Sequence, residues 1–523
     1  MFRKVPGPPA RTYRGINSVR RTASLGYFMV RGIFRTASRT QHAEIQVIGL
    51  ENIPPDGPVL LVGNHPNSFL DFFNLLTVVR HPISTAAKET LFHMPIIGWI
   101  IRHWALMIPI LRKQDAAEGD DETGRREANE KSLREAVEAL VDGRLFNIFA
   151  EGKSMSNHKL WPLKLGFMSI AIQAEKEFNF NLNLRIVPFG LYYDRINKFQ
   201  SSVCVVFGKP FLLKNLVKLP DNVLSLDERE WSSLEKKIMV AGKERVQNSL
   251  EEIVISIPQK DKIEIINESI ALYVLSPIKY MGGYDNVREK YRMSKTISDT
   301  MLAAGEHPEG QARLDRLHEL IRAYRKQLRE TGLTDAVVRR ENTLSSYGYH
   351  LKGVIEGVLY SPLIVYGFIF NLIPRLAGRW MRWWVIELKK RDKTDGDEKA
   401  IVTAFFTVLA TYPIYGAVIY WLLANGGIAA LERLLGPGPL QNVLSTYSGS
   451  VAALTTALAI YLMARLWRFS LYYSRKMIAA LYWSKDLIVE LFRRSRIVAL
   501  REKRYQIIDE IDFLISDFTD PAS

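Results

Sequence analysis

From residue 44 to residue 210, short apolar runs alternate with segments of helical spacing. That pattern predicts an α/β domain. Strands are expected over residues 58–63, 84–87, 145–149, 184–191 and 203–207. Within residues 127–141, Leu133, Val137, Leu140 and Val141 recur at helical spacing, and Gly143 is placed to end the helix. The chain from Val141 to Glu151 therefore reads as helix end, turn, buried strand and polar loop. Upstream, residues 25–34 predict a helix with an apolar face. Arg31 and Arg35 leave it too short and too charged to span a bilayer, so it suits either a bilayer surface or the side of the next domain. Residues 1–21 are rich in Arg and Pro without an uninterrupted apolar core, so no secretory signal is expected.

The pattern changes twice more. Residues 214–349 are charged and helical, and 314–329 are strongly basic, as on a solvated helix face. Residues 400–431 and 440–464 contain no charged residue at all. Each exceeds the roughly 20 residues needed to cross a hydrocarbon core of about 30 Å. With the short loop 432–439 between them, they predict a transmembrane hairpin. Arg375, Arg379, Arg382, Lys389 and Lys390 precede it, and Arg465, Arg468, Arg475 and Lys476 follow it. Basic flanks on both sides place both ends in the cytoplasm. Residues 357–374 are apolar but carry Pro362, Asn371 and Pro374; a third span would move the upstream domain across the membrane, so a re-entrant or interfacial segment is expected. Trp380, Trp383 and Trp384 suit the interface, as do the aromatic and basic residues after Arg465.

Composition narrows the partners. The 523 residues carry a net charge of +15, which suits an anionic surface or a phosphorylated substrate. Two charge-free spans argue for a lipid bilayer rather than a nucleic acid. The single cysteine, Cys204, excludes an intrachain disulfide and a cysteine-rich metal site. It lies in an apolar strand and reads as a core residue. His93, His103 and His158 have no zinc-like spacing, and no metal is expected.

The candidate chemistry begins at residues 60–71. There an apolar run ends in Asn64-His65, a short polar turn follows, and Asp71 comes six positions after the histidine. A carboxylate folded onto one ring nitrogen fixes the tautomer and leaves the other nitrogen to take a proton from a hydroxyl. Read alone, the pair is also what a surface hydrogen bond looks like. A second block, Phe149-Ala150-Glu151-Gly152-Lys153-Ser154, offers backbone N–H groups, an ammonium and a hydroxyl, with Lys164 close behind in Pro162-Leu163-Lys164. Those groups suit a phosphate oxygen. A third block runs from Lys88 to Arg112, and a fourth, Ile186-Val187-Pro188-Phe189-Gly190-Leu191, is a strand placed to close the site.

In this order and spacing, the four blocks resemble the glycerolipid acyltransferase superfamily over residues 45–212. Residues 47–54 are similar to its usual lead-in. The resemblance implies an α/β fold, a central mixed sheet flanked by helices, followed by a helical region and the C-terminal hairpin. It implies an O-acyltransferase of phospholipid biosynthesis without a cofactor, using acyl-coenzyme A or acyl carrier protein as co-substrate. His65 and Asp71 take the catalytic roles. Asn64, Arg112, Glu151, Gly152, Lys153, Ser154 and Lys164 are the candidate substrate-binding residues, Glu151 by ordering the turn. The expected acceptor is the sn-1 hydroxyl of glycerol-3-phosphate, with lysophosphatidate or another lysophospholipid as the alternative. A membrane-anchored scaffold is the rival that needs no His65–Asp71 pair.

Three departures stand out. Five residues separate His65 from Asp71 where the family usually has four, which resembles the subgroup with the fungal glycerol-3-phosphate/dihydroxyacetone-phosphate acyltransferases. Residues 192–208 resemble that subgroup too, although Gln200 stands where arginine is common. Ala150 replaces a usual proline, which is expected to loosen the turn. The expected segments are a basic N-terminus with an interfacial helix (1–43), a catalytic domain facing the cytoplasm (44–213), a charged helical region (214–349), a re-entrant or interfacial segment with a basic loop (350–399), the hairpin (400–464) and a basic, aromatic tail (465–523).

Overall fold

The apolar runs fold into strands that are covered on both faces, which is why they lack polar alternation. A computed structural model describes residues 24–93, 95–110, 122–152, 154, 159–196, 198–220, 223–274, 286–339, 344–390, 393–427 and 448–518. The chain divides into two units, Met1–Ile321 with Ile508–Ser523, and Arg322–Ile507.

The first unit begins with α1 (Leu25–Gln41) and β1 (His42–Ile48). There follow β2 (Val59–Gly63), α2 (Phe69–Val78), β3 (Ile83–Lys88), α3 (Pro95–His103), β4 (Met107–Ile110), α4 (Glu122–Val141) and β5 (Leu145–Phe149). Then come α5 (Gly166–Glu177), β6 (Arg185–Tyr193), β7 (Ser201–Phe207) and β8 (Phe211–Leu212). The strands form one mixed sheet in the order β1-β7-β6-β2-β5-β3-β4, with β8 pairing β6. Neighbours are parallel except at β6–β7 and β6–β8. Strands β1, β4 and β8 were not expected. β1 is only half-buried and carries Glu44 and Gln46, and β4 contains Pro109, which a central strand does not tolerate.

On one face, Leu60 and Val62 of β2 and Phe146 and Ile148 of β5 pack against Val137 and Leu140 of α4 and Phe167 and Ala171 of α5. α1 and α2 pack together, with Phe34 and Phe73 stacked at 4.3 Å. The charge that kept α1 from reading as a span is used inside. Arg31 is buried, and its guanidinium donates to the carbonyls of Val79 and Arg80 just past the end of α2. A cation there satisfies the open carbonyls and the negative end of the helix dipole. On the outer side of α1, Leu25, Phe28, Met29 and Ile33 are exposed. Cys204 is buried, and burial pushes its thiol up to about 12.

Three further helices, α6 (Glu228–Ile253), α7 (Lys262–Val274) and α8 (Val287–Ala304), continue this unit. α6 opens with a full capping box, Asp227 to Glu230. Tyr192 reaches Ser294 on α8 at 3.2 Å.

In the second unit, Leu344–Leu359 and Ser361–Phe370 are two helices, and the apolar stretches Leu351–Leu359 and Ser361–Phe370 meet at a bend of 64°. Pro362 lies at the start of the second helix, where its ring fits, and disfavours continuation of the first. A bent pair of this kind is a broken span or a re-entrant loop. Among the described residues one helix, Phe406–Asn425, is long and apolar enough to cross a membrane. The expected connecting loop, 432–439, lies outside the described residues. The described apolar part of the second arm, Gly449–Leu462, is shorter than a span and continues within the helix Ser448–Phe518. A two-span hairpin is thus not established. Elsewhere in this unit Asp335 holds Arg504 at 2.9 Å and accepts from Tyr324 at 2.7 Å.

Candidate active site

The site forms where β2 and β5 end side by side, their ladder closing at Gly63–Phe149. β2 also pairs with β6 as far as Gly63–Phe189. Gly63 is required by that approach: a Cβ there would lie 2.3 Å from the Phe189 ring. The next residue continues the pairing by other means. The Asn64 carboxamide accepts from the Leu191 N–H at 2.8 Å and donates to the Leu191 carbonyl at 3.3 Å. Its side chain thus supplies one more rung after the backbone has turned away.

His65 follows on the turn, and Asp71 lies in the first turn of α2. His65 Nδ1 is 2.8 Å from Asp71 Oδ2. A carboxylate only accepts, so Nδ1 carries the proton and Nε2 keeps its lone pair. The Asp71 side chain is fully buried, while that of His65 is 13% exposed. Asp71 also accepts from the Asn67 N–H at 2.7 Å and the Tyr193 hydroxyl at 2.6 Å. Three donors therefore fix both carboxylate oxygens. Within the five residues between His65 and Asp71, Ser68 has a φ of 46°, which lies where side chains are disfavoured. The Ser68 N–H is held by Ser154 Oγ at 2.9 Å.

Glu151 is buried beneath this turn. One oxygen accepts from the His65 N–H at 2.8 Å and the other from the Trp161 N–H at 3.2 Å. Burial raises its pKa, against the opposing pull of those two donors. Its two oxygens thus tie together two backbone N–H groups ten and eighty-six residues away in sequence. Gly152 has φ +70°, and a Cβ there would meet the stem of Lys164 at 3.1 Å. The Lys164 N–H bonds the Ala150 carbonyl at 2.8 Å, and its side chain is exposed. Arg112 and Lys153 lie outside the described residues.

Ala150 makes a backbone bond at the usual proline position. Its N–H donates to the Gly63 carbonyl at 3.2 Å, a bond that proline cannot make. The substitution ties the two strand ends that carry His65 and Glu151. A cavity of about 230 Å³ opens beside them, lined in part by Asn64, Pro66, Glu151, Lys159, Leu191 and Arg195.

A family model described as Acyltransferase matches residues 44–192. The chain carries an acyltransferase domain. A 1-acyl-sn-glycerol-3-phosphate acyltransferase of Chlamydomonas reinhardtii is 30% identical over 29% of this chain and 42% of its own. A glycerol-3-phosphate O-acyltransferase of Saccharomyces cerevisiae is 25% identical over 41% of this chain and 26% of its own. The chain thus spans less than half the length of these relatives. A crystal structure of the 1-acyl-sn-glycerophosphate acyltransferase of Thermotoga maritima aligns with 44% of this chain and 83% of its own, at 21% identity and a TM-score of 0.28, too loose a likeness to carry an argument.

The acyltransferase domain also uses residues that the motifs did not single out. Phe149 lies flat on the His65 ring, and Tyr193 and Asn74 sit behind Asp71. Phe149 is in the second block, but nothing in its spacing assigns it a ring contact. Tyr193 lies at the end of a strand, within the stretch 192–208 that resembles the subgroup, but nothing there pointed to Asp71.

Proposed function

We propose that this chain is a membrane-bound O-acyltransferase that moves a fatty acyl group from an acyl thioester to the sn-1 hydroxyl of glycerol-3-phosphate, giving lysophosphatidate. The observation that carries it is the His65–Asp71 pair, buried on the aspartate side and accessible on the imidazole side. His65 Nε2 takes the proton of the acceptor hydroxyl as its oxygen attacks the thioester carbonyl. Asp71 orients the ring and stabilises the imidazolium, the arrangement of a serine-hydrolase triad with the acceptor alcohol in place of the serine. The C–O bond forms, the C–S bond breaks, and the thiolate leaves with the proton. No covalent acyl-enzyme is required.

Arg112, Gly152, Lys153, Ser154 and Lys164 are the candidate partners of the acceptor phosphate. The helix Phe406–Asn425 and the exposed apolar side of α1 support attachment to a bilayer, and the basic residues flanking the apolar stretches support a cytoplasmic catalytic domain. The second reading is a lysophosphatidate acyltransferase, favoured by the name of the Chlamydomonas relative. Membranes containing the chain, offered glycerol-3-phosphate and lysophosphatidate in competition with a long-chain acyl-coenzyme A, separate the two. Lysophosphatidate as product supports the first reading, and phosphatidate alone supports the second. General-base catalysis is worth about 10²–10⁴-fold, so His65→Ala is expected to lose that much turnover. Near-normal turnover would remove His65 from the mechanism.

A further inference from the structure

Behind Asp71 runs a chain of buried polar groups to which the sequence blocks assign no role. Tyr193 Oη donates to Asp71 Oδ1 at 2.6 Å, Asn74 Nδ2 donates to Tyr193 Oη at 2.8 Å, and Ser38 Oγ donates to Asn74 Oδ1 at 2.6 Å. Ser38, Asn74 and Asp71 are fully buried, and Tyr193 is 5% exposed. The direction of the chain follows from chemistry alone. An ionised carboxylate has no proton to give, so the tyrosine must donate to it. Its oxygen is then the acceptor for the Asn74 amide, whose own oxygen faces the serine hydroxyl. Every dipole thus points at the Asp71 charge, and bonds aligned this way strengthen one another.

The three residues come from three elements. Ser38 is on α1, Asn74 is one turn beyond Asp71 on α2, and Tyr193 ends β6. Asn74 is an expensive choice for core packing, set among Phe72, Phe73, Leu75 and Leu76, all buried. The position is polar because it holds Tyr193.

We infer that Tyr193 is a positioning residue for the His65–Asp71 pair, held in place by Asn74 and Ser38, an assignment that rests on the acyl-transfer reading above. Its hydroxyl fixes the carboxylate oxygen that His65 does not use, and so sets the plane in which the other oxygen meets Nδ1. It also draws negative charge away from that second oxygen. Burial and the Asp71 charge raise the phenol well above its ordinary value, so it stays a donor at every working pH. The other titratable groups around the pair are Glu151, which accepts from the His65 N–H, and His42, whose ring centroid is 5.7 Å from that of Tyr193. His42 is held near pKa 4 and is neutral above it.

The test uses the full chain in phosphatidylcholine–phosphatidylglycerol vesicles with a long-chain acyl-coenzyme A and each acceptor in turn. Tyr193→Phe removes only the hydroxyl. It is expected to lower kcat about 10-fold with KM for acceptor and donor unchanged, roughly the loss of a hydrogen bond to a charged group. The acid limb of the kcat profile is expected to move to higher pH, because Asp71 then presents more charge to the imidazolium. Asn74→Ala should give a similar loss, and the double variant no more than either alone, since the two act as one unit. Ser38→Ala trims the far end of the chain and should give a smaller loss, about 2- to 4-fold, with the same direction in pH. It reads the same relay if the other variants fail to fold. An unchanged kcat and acid limb in Tyr193→Phe, with His65→Ala inactive, overturns the positioning role and leaves the acyl-transfer reading standing. Additive losses with an unmoved acid limb overturn it as well, by showing support of the fold alone. Absence of transfer by the unaltered chain to either acceptor, or full activity of His65→Ala, overturns the acyl-transfer reading and the positioning role with it.

Discussion

The imidazole of His65 lies against the Phe149 ring, with centroids 4.1 Å apart and planes within 9° of parallel. Phe149 is itself braced edge-on by Phe189 at 5.9 Å. The His65 ring is thus held by an aromatic face as well as by Asp71. A ring pair is worth about 0.5–1.5 kcal/mol, and each 1.36 kcal/mol is tenfold in rate. Phe149→Leu should therefore lower kcat about 2- to 12-fold while leaving acceptor KM near its original value. Steady-state kinetics check it, and an unchanged kcat would mean that Asp71 alone orients the ring.

Glu151→Gln separates two roles for this carboxylate. If it mainly repelled a bound phosphate, neutralising it would lower acceptor KM. The structure has both oxygens accepting backbone N–H bonds, and glutamine can replace only one of them. The expected result is a 10- to 100-fold loss in kcat/KM, from an unpaired buried N–H costing about 1–3 kcal/mol. A gain in acceptor affinity is the contrary outcome.

Much of this site was legible as chain, and much less as space. The end of β5 at Phe149, the end of β2 at Gly63 and the His65–Asp71 pair could be read because an apolar run stopping at polar residues is a local signal. The strand expected at 145–149 is the strand observed. The anchors of the pair were not legible, because Tyr193 and Leu191 reach their partners across 122 and 127 residues. Arg31 was read as a charge that limits a helix, and the fold uses it to close another helix. The bond from the Ala150 N–H to a carbonyl on a different strand was likewise not legible.

Gly63→Ala tests the closeness of β2 and β6. The added methyl would sit 2.3 Å from the Phe189 ring, and overpacking of this kind costs about 1–3 kcal/mol. Chemical denaturation should show that loss, and Phe189→Leu in the same chain should recover part of it. Equal stability of Gly63→Ala and the unaltered chain would show that the ring gives way freely.

His42 predicts an acid-sensitive step in stability. It is buried on β1, where its Nδ1 lies 3.3 Å from the Ser201 carbonyl, and burial lowers its pKa from 6.5 to about 4. A depressed folded-state pKa means the stabilisation is present above about 6.5 and is lost as pH falls towards 4. The full loss is about 3–4 kcal/mol, at roughly 1.4 kcal/mol per unit over the shift from 6.5 to about 4. Melting of the detergent-solubilised chain at pH 7 and pH 4.5 measures it. His42→Asn keeps a donor for Ser201 and has no charge to gain, so its slope over that interval should be flatter. An identical slope in the variant would assign the acid loss to other groups.

The bond from His65 to Asp71 closes over six residues, whereas Tyr193 arrives 122 residues after the aspartate it holds. During synthesis the base and its carboxylate therefore leave the ribosome well before β6 exists to brace them. An unfinished chain, or one cut before residue 193, carries the reactive pair without its anchor and without the extra rung that Asn64 makes to Leu191. On the acyl-transfer reading proposed above, fragments that end before these strands are expected to lose most activity even when they retain His65 and Asp71.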